Sequence, residues 1–188
     1  MRLILYQTLE DRDNPDYIED NGPFLCSRST AWLGYGYYFW DTHEELGHWW
    51  GKLNFKHKYV VCKARGTYDE FCWDLQGNGL HRLEFECICN ELVNSGITNK
   101  ESLLVPQVIE YFKKRGKFYY DSIRALGINS IRSKLNDNTV IFRMIFKKDN
   151  IAYLDLKPPV QVCLIQKKAL SLQSYKIVYP KDYSEFYA

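Results

Sequence analysis

A stretch of aromatic residues bracketed by glycine, GYGYYFWDTHEELGHWWG at positions 34–51, holds the residues best suited to chemistry. Gly34 and Gly36 would let the backbone approach a ligand closely, because glycine has no side chain. Tyr38 and Trp49 combine large flat faces with polar tips, a combination that suits a pocket for a planar ring. The stretch therefore predicts a binding site for a flat ligand. The alternative is a strand and a helix whose aromatic side chains all pack in the core.

Two predicted elements position these side chains. Residues 33–40 read as a strand, and residues 42–50 read as a helix. Thr42 is the predicted N-cap of this helix, and Glu45, three residues later, would complete a capping box. A glycine-rich strand would thus lead directly into a helix.

The rest of the chain alternates between strand and helix patterns. Short apolar runs predict strands, and apolar residues that recur every three or four positions predict helices. This order, without a repeat or a linker, predicts one α+β domain over residues 1–188. The predicted strands are 2–7, 59–64, 140–146, 152–156 and 160–165, and the predicted helices are 16–19, 80–93 and a helix from Pro106 that continues through 119–126.

The composition is that of a globular protein, with 46% hydrophobic and 26% charged residues. No apolar run reaches the length that a membrane span needs, and the apolar start is followed at once by acidic residues, unlike a secretory signal. The six cysteines have no disulfide-framework spacing, which predicts reduced thiols and a cytoplasmic location. A net charge of +2 does not indicate nucleic acid as a partner.

Three short segments, LYQT at 5–8, GYGYYF at 34–39 and PVQVCL at 159–164, occur in a suggestive order. This order resembles the three motifs of the ADP-ribosyltransferase fold, in the branch of diphtheria toxin and poly-ADP-ribose polymerase. That branch carries a His-Gly pair, a Gly-x-Gly-Ile-Tyr-Phe segment and a catalytic Glu. The resemblance implies an ADP-ribosyltransferase-like fold of two small, bent, mostly antiparallel sheets with flanking helices, and a cleft that binds NAD.

The resemblance also implies a role for each matching residue. Tyr38 would lie against the nicotinamide ring of NAD, and Trp49 would cover the other face of that ring. The backbone of Thr8 would anchor the carboxamide, and Gly36 would leave space for the ligand. NAD would be the substrate, and no metal is implied.

Two positions depart from the pattern of the family. Gln7 stands where the family has its histidine, and Gln161 stands where it has its catalytic glutamate. Gln7 would contact the ribose, but a neutral amide at 161 would stabilise a cationic transition state poorly. The predicted function is therefore weak transfer of ADP-ribose to a protein or nucleic acid acceptor. The alternative is an inactive domain of the same fold that binds NAD, ADP-ribose or a protein partner.

Two other arrangements of chemically capable residues fit less well. Glu84 and Glu86 match the Glu-x-Glu turn of the arginine-specific branch, but they fall inside the helical period of residues 80–92 and predict a solvated face. Cys87 and Cys89 lack the pair-plus-pair spacing of a zinc site. The sequence therefore favours the glycine-aromatic stretch as the candidate site.

Overall fold

Seven strands form one mixed sheet in the computed structural model, which describes residues 2–28, 30–127, 143–145 and 153–185. Neighbouring strands of this sheet are antiparallel, except for the parallel pair β4–β5 at one edge. Strands β6 (Arg143–Ile145) and β7 (Tyr153–Asp155) pair separately. In spatial order, the sheet contains β4 (Cys72–Asp74), β5 (Ser122–Leu126), β8 (Val160–Leu164), β2 (Tyr37–Asp41), β1 (Arg2–Glu10), β3 (Tyr59–Thr67) and β9 (Gln173–Tyr179).

Five helices lie between and after these strands along the described part of the chain. The mixed sheet and its separate helices confirm the predicted α+β class. No helix among the described residues is both long and apolar enough to cross a membrane. The helices are α1 (Pro15–Asn21), α2 (Glu44–Phe55), α3 (Gly79–Asn94), α4 (Val105–Lys114) and α5 (Lys181–Glu185), with a short 3-10 turn at Ala169–Ser171.

The link between β1 and β2 differs from the two separate sheets that the resemblance implied. β1 pairs with β3 along its whole length but with β2 only through Leu5 to Asp41 and Tyr6 to Trp40. These two pairs are enough to join both halves into one sheet. Residues 7–10 then separate from β2, and this divergence opens a cleft.

The central strand β8 lies between β5 and β2, and all five of its residues are buried. A strand covered on both faces reads as a nearly continuous apolar run, which is why the segment from Val160 was predictable. The structure also confirms the strands predicted at 2–7 and 59–64 and the helix predicted at 80–93. Buried apolar residues mark each of these elements.

The bounds of three predicted elements need correction. The strand predicted at 33–40 begins only at Tyr37. Helix α2 begins at Glu44 with His43 as its N-cap, so Thr42 is not the cap. Thr42 adopts a φ of 65°, and its hydroxyl donates to Oδ1 of Asp41 at 2.8 Å. Neither the predicted N-cap nor its capping box with Glu45 is formed. Within 119–126 a strand replaces the predicted helix from Ser122 on, because pairing with β8 outweighs the local preference. Parts of the predicted strands 140–146 and 152–156 lie outside the described residues.

A buried charge cluster ties together three strands of the sheet. Arg124 of β5 donates to Asp41 of β2 at 2.8 Å and to Asp74 of β4 at 3.0 Å. The two carboxylate side chains are only 6% and 8% exposed. Burial by itself would raise the pKa of Asp74, but the N–H group of Gly77 and the guanidinium of Arg124 together bring this pKa below its ordinary value. The carboxyl group of Asp74 is therefore charged at neutral pH.

Candidate functional site

The candidate site is the cavity that opens where β1 and β2 diverge, here called the β1–β2 cleft. Its volume is about 340 Å³. It lies between residues 6–10 of β1, residues 38–40 of β2, the segment around residues 24–32 and the face of α2 that carries Trp50. Four of the residues singled out in the sequence line it, although they come from three distant segments: Gln7, Thr8, Tyr38 and Gln161.

Three tryptophans form the aromatic walls of the β1–β2 cleft: Trp32, Trp40 and Trp50. The ring centroids of Trp32 and Trp50 are 6.2 Å apart with planes at 82°, and those of Trp40 and Trp50 are 6.3 Å apart at 60°. Such edge-to-face packing holds the rings in place. Trp32 and Trp50 keep exposed surface, whereas Trp40 is buried. The walls therefore suit a planar ligand.

Trp49, the predicted second stacking residue, is not among the described residues that line the cleft. Its ring packs against Trp40 with centroids 6.0 Å apart. Two glycines set the rotation of α2: a Cβ at Gly51 would lie 2.5 Å from Cγ of Tyr59, and one at Gly47 would lie 3.1 Å from Oγ1 of Thr8. The glycine face of α2 therefore lies against the sheet, and Trp50 is the residue brought to the cleft.

Gln7 lines the cleft, but its amide is already fully hydrogen-bonded. Nε2 donates to the carbonyl oxygens of Phe24 at 3.0 Å and Tyr38 at 3.4 Å. Oε1 accepts from the N–H of Phe24 at 2.9 Å and from the hydroxyl of Tyr175 at 2.8 Å. A glutamine amide has two donors and two lone pairs, so this amide has no capacity left for a ribose hydroxyl. The hydrogen bonds of Gln7 instead hold the segment around Phe24 against β1.

We expect the substitution Gln7→Leu to lower the free energy of unfolding by about 1–3 kcal/mol, because buried groups of Phe24 and Tyr175 lose their partner. Urea unfolding would measure this loss. Gln173→Leu is the matched control, because Gln173 is an exposed residue of β9, and the expected change is within about 0.5 kcal/mol. Equal stability of the two variants would contradict a structural role for Gln7.

The hydroxyl groups of Thr8 and Tyr38 are also engaged within the protein. Thr8 donates to the carbonyl of Gly47 in α2 at 2.9 Å. Tyr38 donates to the carbonyl of Gly34 at 2.7 Å and accepts from the N–H of Leu33 at 2.8 Å. Burial raises the pKa of Tyr38 far above its ordinary value, so the phenol keeps its proton. A ligand in the cleft would therefore find neither of these hydroxyls free.

Gly36 lies outside the residues that line the β1–β2 cleft. A Cβ at this position would lie 2.6 Å from the carbonyl oxygen of Leu164 and would also collide with Sγ of Cys163. Gly36 is bridged on its other side to Cys26. The absence of a side chain is therefore required by close packing against β8.

Gln161 differs from Gln7 in the state of its amide oxygen. It lies on β8 opposite Trp40 and Ala125, and only 7% of its surface is exposed. Its Oε1 has no hydrogen-bond partner among the described residues. A buried acceptor without a partner is uncommon in folded proteins, so a ligand donor would be well matched to it.

The rim of the β1–β2 cleft carries two arginines. Arg12 donates through Nε and Nη2 to Glu10 at 3.0 and 2.8 Å, so its charge is paired. Arg28 also lines the cleft, is exposed, and has no ion pair within the described part of the chain. The sequence motifs did not single out Trp32, Trp50 or Arg28 as ligand contacts. In the sequence, the position of Trp32 and Arg28 just before the glycine-rich strand was the feature that could have identified them as lining residues.

The competing Glu-x-Glu arrangement lies elsewhere. Glu84 and Glu86 both belong to α3, as the helical period predicted. Glu84 accepts a hydrogen bond from the hydroxyl of Tyr120 at 2.7 Å, and Glu86 is exposed. Neither residue lines the β1–β2 cleft. In the described ranges, no three His, Cys, Asp or Glu side chains are grouped so that they could hold a metal ion.

No protein-family model, curated protein or solved structure matches this chain. Its function is therefore inferred from the residues that line the cleft.

Proposed function

We propose that this chain binds NAD in the β1–β2 cleft and slowly transfers ADP-ribose to a protein or nucleic acid acceptor, as a divergent ADP-ribosyltransferase-like protein. The observation that carries this proposal is that Gln7, Thr8, Tyr38 and Gln161 line one cleft, although they come from three separate segments. These are the segments in which the resemblance lies. The tryptophan walls add a surface on which nicotinamide can stack.

Each group in the cleft then has a distinct task. The nicotinamide ring stacks on Trp50, and its carboxamide meets the backbone near Thr8. The carbonyl dipole of Gln161 faces the ribose and offers partial negative charge as the bond to nicotinamide breaks. A dipole stabilises the developing cation less than a carboxylate would, so cleavage is slow. The exposed guanidinium of Arg28 is suited to a phosphate group.

A second candidate function is binding of NAD or ADP-ribose without cleavage. Two observations favour it. The amide of Gln7 is fully used inside the protein, and Glu10, a carboxylate at the rim of the cleft, is paired with Arg12. Slow release of nicotinamide by the purified chain distinguishes transfer from binding alone.

Calorimetric titration with NAD tests the site directly. We expect Trp50→Ala to weaken binding by about 3- to 10-fold, because one stacked aromatic pair contributes about 0.5–1.5 kcal/mol. Trp49→Ala is the matched control, since the neighbouring indole is not among the described residues that line the cleft, and its affinity should stay within about twofold of the unchanged chain. Thermal melts would establish that both variants fold. Absence of binding heat for the unchanged chain, or a larger loss with Trp49→Ala, would refute the proposed NAD site.

A further inference from the structure

A second cavity, here called the α3 cavity, adjoins the first on the same sheet. Its volume is about 390 Å³, and it lies between α3 and the end of β5. Its walls are mostly apolar, with Leu75, Phe85, Val105 and Leu126 among them. Of the residues that line it, the proposed function uses only Gln161 and Trp32.

The two cavities meet at Gln161 and Trp32, which line both of them. Gly127 lies at the same place: a Cβ on this residue would lie 3.1 Å from Cζ3 of Trp32 and 3.1 Å from Cγ of Gln161. The glycine therefore lets Trp32 and Gln161 lie close to the backbone, and an added methyl group would press against both. This junction places a buried amide and an indole beside an apolar chamber.

Gln161 supplies the polar specificity of the α3 cavity. Its Oε1 is buried, acts only as an acceptor and has no partner among the described residues. The cationic group that lines the cavity, Arg82, uses Nη1 to donate to the carbonyls of Leu75 at 3.3 Å and Gln76 at 2.8 Å. An apolar chamber with one buried acceptor favours an uncharged ligand that carries an N–H donor.

We propose that the α3 cavity binds an uncharged, planar, bicyclic heteroaromatic ring of the purine type, whose N–H group donates to Oε1 of Gln161. The rings of Phe85 and Trp32 provide the aromatic surfaces for such a ligand. This inference does not depend on NAD binding in the β1–β2 cleft, because the probes used below carry neither ribose nor phosphate.

Benzimidazole and 1-methylbenzimidazole are matched probes for the test, since methylation removes the N–H donor and leaves the ring system. We expect benzimidazole to bind the unchanged chain about 5- to 10-fold more tightly, as measured by protein NMR titration at mildly alkaline pH. In Gln161→Met the two probes should bind equally. Equal affinity of the two probes for the unchanged chain would overturn the proposal.

Two further variants locate the bound probe. Gly127→Ala should weaken both probes, because its methyl group enters the junction. Phe55→Leu, which changes a residue that lines only the β1–β2 cleft, should leave both affinities unchanged. The reverse pattern, with a loss in Phe55→Leu and none in Gly127→Ala, would place the probe in the other cavity and refute the proposal.

Competition with NAD identifies the natural source of the ring. Displacement of benzimidazole by both NAD and AMP supports the site as one that holds the adenine ring of the dinucleotide, because AMP lacks the nicotinamide ribose that also faces Gln161. Simultaneous binding of both supports it as a site for a separate free base or nucleoside.

Discussion

Replacing Gln161 with glutamate is expected to accelerate the release of nicotinamide from NAD by about 10²- to 10³-fold. The side chain keeps its length, so the new carboxylate occupies the place of the amide at the junction of the two cavities. A full negative charge there stabilises a cationic ribose more strongly than the carbonyl dipole does. Nicotinamide release followed by chromatography measures the effect.

The pH profile separates this electrostatic effect from a change in packing. A carboxyl group at a position that is only 7% exposed has a raised pKa, because burial disfavours its charged form. The activity of Gln161→Glu should therefore increase with pH as the carboxyl ionises. Gln161→Met, which fills the same volume without an amide, should fall below the unchanged chain. A Gln161→Glu variant that binds NAD but remains as slow as Gln161→Met at alkaline pH would contradict a catalytic position for this residue.

Replacing Arg124 with methionine is expected to lower the free energy of unfolding by about 3–5 kcal/mol. The substitution leaves Asp41 and Asp74 buried without the cation that both carboxylates contact. An uncompensated buried charge is much more costly than the loss of an exposed ion pair. Chemical denaturation at neutral pH measures the loss.

Arg115→Met is the control for Arg124→Met. Arg115 pairs with Glu91, and the two side chains are 37% and 50% exposed, so the expected loss is about 0–1 kcal/mol. Adding Asp41→Asn and Asp74→Asn to Arg124→Met should recover part of the lost stability, because the uncompensated charge is then removed. If the triple variant is no more stable than Arg124→Met, the cost arises from lost packing and not from charge.

Much of the fold was predictable because buried apolar residues leave a visible pattern. β1, β3, β8 and α3 follow from apolar runs or from a helical period. The strand β5 was predicted as helix because Ile123 and Leu126 also fit a helical spacing, and only its partner β8 decides between the two. The strands β4 and β9 were not predicted, since Cys72–Asp74 is too short to show a period and Ile177 is the only fully buried residue of β9.

The sequence predicted the residues of the candidate site better than it predicted the contacts that these residues make. The segments around Gln7, Tyr38 and Gln161 do line one cleft. The choice between Trp49 and Trp50 depends on the rotation of α2, which the contacts of Gly51 with Tyr59 determine. The saturated hydrogen bonding of Gln7 depends on Tyr175, a residue far along the chain, so no local pattern could reveal it.

The central place of β8 also determines when the sheet can be completed during synthesis. β8 follows both of its neighbours in the chain, so β2 and β5 gain their shared partner only after Val160 has left the ribosome. Closing such long loops is entropically costly and slows folding. Until then two strand edges remain open, and open edges pair readily with other chains. Truncation before β8 would therefore produce an aggregating fragment, and not a smaller domain with partial function.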